Sequence, residues 1–336
     1  MKSDSIRTIS MFDNGTRLKI TKPIRLIELF GGIGSQAKAL ERIGANFEHY
    51  RLCEFDRFAV KSYNAVHGTN FETSDVTKIC GDDLGIVDTN KYTYILTYSF
   101  PCTDLSSAGM QAGMKKGSGT RSGLLWEVER LLNETKNLPQ VLLMENVPEV
   151  VSDKFIGDFS EWVSFLKSKG YRSKYTILNA CGFGVPQNRS RCFMVSWLGD
   201  LYYDFPIETE CKVSLKDILV GGVDEKYFLS EHRTRNLILN IVENKQPGIS
   251  KTGGQIIRAG TLNPDKEIQD RCLIFSTDGI SVTCRATDYK DPIKIVVGEA
   301  SGIYIDASAA FQRSPLPKKS RTLTAQKNYA GVMFFE

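Results

Sequence analysis

Between residues 24 and 200 the chain alternates short apolar, strand-like runs with amphipathic stretches of helical period, and this alternation constrains its fold more than any other feature. Ile24-Arg-Leu-Ile-Glu-Leu29 reads as a strand, and the residues after it set Ile33, Ala37, Leu40 and Ile43 on one side of a helix. Tyr50-Arg-Leu-Cys53 is strand-like ahead of a helical segment near 56–66. Tyr94–Ser99 and Gln140–Met144 give further strands, and Leu124, Leu125, Val128, Leu131 and Leu132 recur between them at helical spacing. Ile156, Phe159, Val163 and Leu166 form another helical stripe before strands near 172–179 and 191–197. Repeated strand–helix units bury their apolar faces best as a doubly wound, mostly parallel sheet with helices on both sides, so an α/β fold is expected.

After about residue 205 short β-branched runs alternate with Gly, Asp, Asn and Pro, which predicts a second, smaller, loop-rich β domain. The expected division is a polar extension at 1–22, a larger domain at 23–204 and the β domain at 205–336. A length of 336 residues suits a large domain with a smaller one. The net charge of +4 is too mild to identify a nucleic-acid partner, because binding depends on local patches. Apolar runs are far shorter than the roughly 20 residues a bilayer requires, so no membrane association is expected. The first 22 residues carry Lys2, Asp4 and Arg7 without an apolar stretch, which argues against a secretory leader and for the cytoplasm. Eight cysteines lack a CxxC pair, and His49, His67 and His232 are far apart in sequence. Reduced thiols and no metal site are therefore expected.

Phe30-Gly-Gly-Ile-Gly-Ser-Gln-Ala37 follows the first strand, and Gly32, Gly34 and Ala37 fit the pattern G-x-G-x-x-A. Glu54 lies twenty residues beyond Gly34, after the next strand. Glycines allow a tight turn with close backbone approach, and an acid there can hold a ribose diol. The pair predicts an adenosine-containing cofactor, with a dinucleotide and S-adenosylmethionine both open.

Pro101-Cys102 sits at the mouth of a loop after a buried strand, where an α/β protein presents a nucleophile. Residues 103–123 carry glycines at 109, 113, 117, 119 and 123 together with Lys115, Lys116 and Arg121. Such a loop packs poorly and suits a lid that carries charge for phosphates. Glu145 ends the apolar run Val141–Met144, and partial desolvation there would favour its protonated form. Arg189 and Arg191, in Gln187-Asn-Arg-Ser-Arg191, have period-two spacing and would face one side of an extended chain, as paired forks for phosphate or base edges.

Together these segments resemble the C5-cytosine-specific DNA methyltransferases of bacteria and phages, in that family's order: Phe30–Gly34, Glu54, Asp75, Pro101-Cys102, Glu145-Asn-Val147 and Gln187-x-Arg189-x-Arg191. The resemblance covers about 24–200 strongly and the remainder weakly. It implies a Rossmann-like methyltransferase sheet with a target-recognition domain, S-adenosylmethionine as methyl donor, no metal, and double-stranded DNA as partner. Cys102 would add to C6 of a flipped cytosine and Glu145 would bind N3 and the exocyclic amine, while Arg191 would contact O2 with support from Arg189. Phe30, Gly31, Gly32, Ile33, Gly34, Glu54, Phe55, Asp75, Val76 and Pro101 would form the cofactor site. Ser106, Lys115, Lys116, Arg121 and Gln187 would meet DNA.

Thr103 stands where the family more usually has glutamine, and Ser35 where glycine is common. The helical segment that normally follows an element like Arg321–Gln326 is not found before Glu336. A monomer on DNA is expected unless a second chain supplies that segment, with a cognate restriction endonuclease as a further partner. A cytosine methyltransferase acting on tRNA is the near alternative. A dinucleotide-dependent oxidoreductase explains the glycine turn but neither Pro101-Cys102 nor the arginine pair.

Overall fold

The computed structural model describes residues 18–105, 112–200 and 202–221, then residue 224 and the stretches 227–229, 238–239, 254–261, 273–284, 292–296 and 322–324. The chain divides into two compact units, one of residues 1–178 and 191–206, the other of 179–190 and 207–336.

The first unit contains strands β1 (Ile24–Leu29), β2 (Phe47–Cys53), β3 (Thr93–Tyr98), β4 (Val141–Asn146), β5 (Tyr171–Asn179) and β6 (Ser190–Leu198), the last two running into the second unit at Asn179 and Ser190. Its helices are α1 (Ser35–Arg42), α2 (Arg57–His67), α3 (Leu125–Glu134) and α4 (Ile156–Ser168). The strands form one sheet in the order β2-β1-β3-β4-β6-β5. β1 pairs in parallel with both β2 and β3, and β3 with β4, whereas β6 runs antiparallel to β4. Each expected strand and helix is present, with β2 reaching back to Phe47.

Alternation of side chains along the strands divides the core between two faces. Leu26, Leu52 and Ile95 pack with Ala37 of α1 and with Val60 and Tyr63 of α2. Ile27, Leu96 and Leu142 pack with Val128 and Leu131 of α3 and with Phe159 and Trp162 of α4. Trp162 is fully buried, and its indole N–H donates to the Tyr98 hydroxyl at 3.1 Å. Burial of a side chain of that size contributes roughly 3 kcal/mol, and the donated bond removes the penalty for its polar atom. Central β1 is nearly apolar throughout, as a strand covered on both faces must be. Its exceptions are Arg25, half-buried on the face of Ile27, and Glu28, fully buried on the face of Ile24 and Leu26.

In the second unit β7 (Ile238–Leu239), β8 (Arg258–Thr261), β9 (Leu273–Ser276), β10 (Lys294–Val296) and β11 (Thr322–Thr324) form a sheet in the order β11-β10-β9-β8-β7. β9 and β10 are parallel, and the other neighbours are antiparallel. The hairpin tip 179–190 belongs to this unit: Gln187 bridges to Ser281, and the Asn188 amide donates to the Ser281 carbonyl at 2.8 Å. Cys181 and Cys211 are joined in a disulfide here, which corrects the expectation that all the thiols are reduced. The two are 30 residues apart with no spacing signature, and only the folded chain brings them together.

Candidate active site

The first and second connections leave β1 in opposite directions, one to β2 and the other, through β2 and α2, to β3. The seam between β1 and β3 is therefore a topological switch point, and the carboxyl ends of the strands beside it form a natural crevice for a ligand. Phe30–Gly34 turns off the end of β1 at this seam. Phe30 has φ 56°, Gly32 φ 56° and Gly34 φ 83°. Phe30 is the one non-glycine residue with positive φ among the described residues, a strained conformation of the kind found at ligand sites.

The turn is packed inside and open outside. A side chain at Gly31 would run into Leu52, and one at Gly34 into His67 and Tyr63, whereas nothing lies within 4 Å of the corresponding position at Gly32. Glu54 steadies this open point, because the Gly32 amide donates to its Oε2 at 2.9 Å and the Asp56 amide to its Oε1 at 2.8 Å. The Phe55 ring beside it is 75% exposed, an apolar surface without cover. Asp75 accepts the Thr77 amide at 3.0 Å and the Thr77 hydroxyl at 2.8 Å, and these bonds hold its carboxyl below the usual range. Val76 is buried. Its carbonyl and that of Ile79 each accept from Arg130 Nη2 at 2.9 Å, while Glu127 and Glu134 grip the remainder of that guanidinium. An adenosine-bearing group fits this set: an open backbone point, an anchored carboxylate and an uncovered aromatic ring.

Cys102 follows β3 after Pro101 and is half-buried against the core. Buried polar bonds tie down the start of its loop. The Ser122 hydroxyl donates to the Pro101 carbonyl at 2.7 Å, the Ser122 amide to Asp104 Oδ2 at 3.0 Å, and the Asp104 amide back to Ser122 Oγ at 3.3 Å. The Gly113 amide then donates to the Asp104 carbonyl at 2.9 Å. Across the switch point, Gln36 Nε2 of α1 donates to Ser99 Oγ at 3.0 Å.

Glu145 ends the neighbouring strand β4. Its side chain is 21% exposed and accepts Arg191 Nε at 3.0 Å. The partial desolvation expected from sequence is accompanied by an ion pair, a partner that the apolar run alone does not announce. Asn146, next along, donates through Nδ2 to the Phe100 carbonyl at 3.0 Å and so links the ends of β3 and β4. Cys192, a possible rival thiol, is fully buried, and burial together with the Glu145 charge pushes it up to about 12. It stays a neutral thiol at physiological pH, whereas Cys102 keeps part of its surface accessible.

Cys102, Glu145, Arg191, the glycine turn, Glu54, Phe55, Asp75, Val76 and Pro101 thus all lie in the first unit. The turn, Glu54 and Phe55, and Pro101 and Cys102 follow β1, β2 and β3, while Asp75 and Val76 come after α2. Glu145 is next to last in β4, and Arg191 of β6 is ion-paired with it. Arg189 does not share a strand with Arg191: β6 begins at Ser190, and Arg189 is grouped with the second unit. Gln187 is grouped there too, with its Nε2 donating to Cys284 Sγ at 3.2 Å. Lys115 and Arg121 are exposed, whereas Lys116 is drawn to Glu129 at 2.7 Å and lies over Trp126. Ser106 lies outside the described residues. Sequence reading missed Asp104, Ser122 and Arg130: the first two meet across 18 residues, and the backbone partners of Arg130 are more than 50 residues away. Among the described residues no group of three or more His, Cys, Asp or Glu is gathered as metal ligands, and no helix is long and apolar enough to cross a membrane.

Comparison with known proteins adds chemistry to this geometry. Residues 24–326 match the model of the C-5 cytosine-specific DNA methylases. The orphan methyltransferase M.SssI of Spiroplasma monobiae is 32% identical, over 83% of this chain and 83% of that protein. The type II methyltransferase M2.ScrFI of Lactococcus lactis subsp. cremoris is 31% identical, over 62% of this chain and 71% of its own. Among solved structures, the Dnmt2 methyltransferase of S. pombe is similar in fold, with a TM-score of 0.57 at 19% identity, over 83% of this chain and 77% of that one.

Proposed function

The chain belongs to the C-5 cytosine-specific DNA methylase family, and from that membership we propose that it methylates C5 of a flipped cytosine in a specific duplex sequence, through a covalent bond between Cys102 and C6. The observation that carries this reading is local. A half-buried thiol follows β3, and a carboxylate paired with a guanidinium of β6 stands at the end of the adjacent parallel strand β4, one strand away from an open glycine turn.

Cytosine C6 is inaccessible inside a duplex, so the base is drawn out at a cost of a few kcal/mol. The Cys102 thiolate then adds to C6, and the electron pair displaced from the C5–C6 bond makes C5 nucleophilic. Glu145 in its protonated form donates to N3 and accepts from the exocyclic amine, which limits charge building on the ring. Arg191, already seated on Glu145, orients that carboxyl and reaches O2, with Arg189 in support. S-adenosylmethionine, when bound, supplies an electrophilic methyl on a sulfonium. Loss of the C5 proton to a base then expels Cys102 and restores the aromatic ring.

The turn Phe30–Gly34 holds the methionine and adenosine portions through its open face at Gly32. Glu54 engages the ribose, Phe55 lies against adenine, Asp75 and Val76 read the adenine amine, and Pro101 borders the pocket. Ser106, Lys115, Lys116, Arg121 and Gln187 meet DNA, and the second unit reads the target. The same reading makes the chain, unless a second chain joins it, a monomer on duplex DNA in the cytoplasm of a bacterium or phage-infected host, with or without a cognate restriction endonuclease.

Methyl-labelled S-adenosylmethionine, offered with duplex DNA or with tRNA, tests this directly. Label on cytosine C5 in one duplex sequence context is the expected result. Label in tRNA alone would move the substrate to RNA, and label in neither would overturn the reading.

A further inference from the structure

Two buried side-chain polar atoms among the described residues lack a hydrogen-bond partner, Glu28 Oε1 and His67 Nδ1, and both belong to one cluster directly behind the glycine turn. Buried polar atoms are normally paired, so two orphans in one place call for a physical reason. Tyr63 of α2 stands at the centre of the cluster. Its hydroxyl donates to Glu28 Oε2 and lies 2.8 Å from Nδ1 of His49 on β2. His67 packs against Tyr63 and His49 with ring centroids 4.6 and 5.0 Å away. A carbonyl can only accept, so His67 Nε2 is the donor in its 3.1 Å contact with Ile33 in the turn. Gly34 closes against the same two rings, and a Cβ there would come within 2.6 Å of Tyr63.

Tyr63 has one hydroxyl proton and two partners. With Glu28 ionised, Tyr63 donates to it and His49 Nδ1–H donates to Tyr63. With Glu28 protonated, the acid donates to the Tyr63 oxygen and Tyr63 turns its proton toward a bare His49 Nδ1. One proton on Glu28 therefore reverses every bond in the chain, and such bonds reinforce each other when they point the same way.

The surroundings make that proton exchangeable near neutrality. Burial, opposed by Tyr63 and the Ala37 amide of α1, pushes Glu28 up to about 7. Its strand neighbours Leu52 and Thr97 bring no charge. Tyr63 is pushed far above its usual range and stays protonated. His49 is held below its usual value by burial and by His67, against the pull of Glu41 on α1, which is itself paired with Lys38 at 2.9 Å.

We propose that Glu28, Tyr63, His49 and His67 are positioning residues that brace the glycine turn from behind, and that the proton on Glu28 sets the affinity of the turn for S-adenosylmethionine. The proposal rests on the reading of Phe30–Gly34 as the cofactor site. Ionised Glu28 gives the tighter, charge-assisted chain and places negative charge beneath a cationic ligand, so binding expels the proton.

Calorimetric titration of the full chain with S-adenosylmethionine between about pH 6 and about pH 8, in buffers of differing protonation enthalpy, tests it. Affinity should rise by roughly three- to tenfold over that range, with proton release on binding. Glu28→Gln should still bind but lose the proton release and most of the pH dependence. Tyr63→Phe, which removes the central hydroxyl, should flatten the profile as well. Unchanged linkage in both variants, or none in the parent, would overturn the brace while leaving the cofactor reading intact. Failure of every protein to bind at any pH would instead overturn the cofactor reading, and this one with it. The chain has three histidines, so the His49 ring can be followed by NMR without ligand. Its titration should change in Glu28→Gln, and an identical curve would refute the proton chain directly.

Discussion

Two carboxylates on parallel strands of the sheet serve its two halves in opposite ways. Glu28, on the β1–β2 side, is sealed from solvent and held by a neutral tyrosine hydroxyl. Glu145, at the end of β4, keeps 21% of its side chain accessible and is paired with the Arg191 cation. The first arrangement lies behind the backbone of the turn, with Tyr63 and His67 packed against Gly34. The second arrangement leaves an ion pair partly accessible. On the proposed function, part of the site holds still and part reacts, and the seam between β1 and β3 divides them.

The largest effects should come from the reactive half. On the proposed mechanism, replacing Cys102 with alanine removes the nucleophile for C6, and turnover should fall by at least about 10,000-fold with the fold intact. A duplex carrying 5-fluorocytosine, which blocks release, should trap a covalent complex with the parent chain and none with the variant. Trapping through Cys192 instead would contradict the assignment, since that thiol is buried and neutral. Glu145→Gln keeps the shape but loses the carboxyl, and should lower kcat by about 1,000-fold with little change in cofactor binding. Equal losses in kcat and cofactor affinity would mean that the two halves are not separable as argued.

Much of this division can be read in the sequence, for reasons that are local. Strands covered on both faces must be apolar, which makes β1, β3 and β4 visible. A turn that needs positive φ announces itself through Gly32 and Gly34. What stays hidden depends on register between distant elements. His49 and His67 are far apart in sequence, yet β2 and α2 bring their rings to 5.0 Å. Asp104 and Ser122 are 18 residues apart and share two buried hydrogen bonds that no local pattern announces. Arg189 and Arg191 look paired by spacing, but the strand starts between them. No pattern in the alternation hints that residues 179–190 leave one unit for the other.

Between the extremes lies the stability of the holding half. Glu28 binds its proton more tightly in the folded chain than the ordinary value of 4.5 allows, with a folded value of about 7. The folded state therefore carries more protons than the unfolded state between those values, and stability falls as pH rises through that window. The loss should be on the order of 3 kcal/mol between about pH 4.5 and about pH 7. Glu28→Gln has no proton to lose, so urea unfolding should show that part of the slope removed and the variant more stable than the parent at about pH 8. A variant less stable than its parent at every pH would mean that the charge is compensated in a way the contacts of Glu28 do not provide.

The smallest effect tests whether the reactive half needs any holding of its own. The Ser122 hydroxyl joins the Pro101 carbonyl to the Asp104 amide and so fixes the peptide that carries Cys102. Ser122→Ala leaves a buried amide and a carbonyl short of one partner each, which should cost about 1–3 kcal/mol of stability. The thiol itself is untouched, so kcat should fall by only about three- to tenfold, with cofactor affinity unchanged. Ser122→Thr keeps the hydroxyl and should recover much of the rate. If Ser122→Ala is as damaging to turnover as Glu145→Gln, the loop base is part of the chemistry rather than its support. If it is silent in both stability and rate, the position of Cys102 is set by the core packing around it.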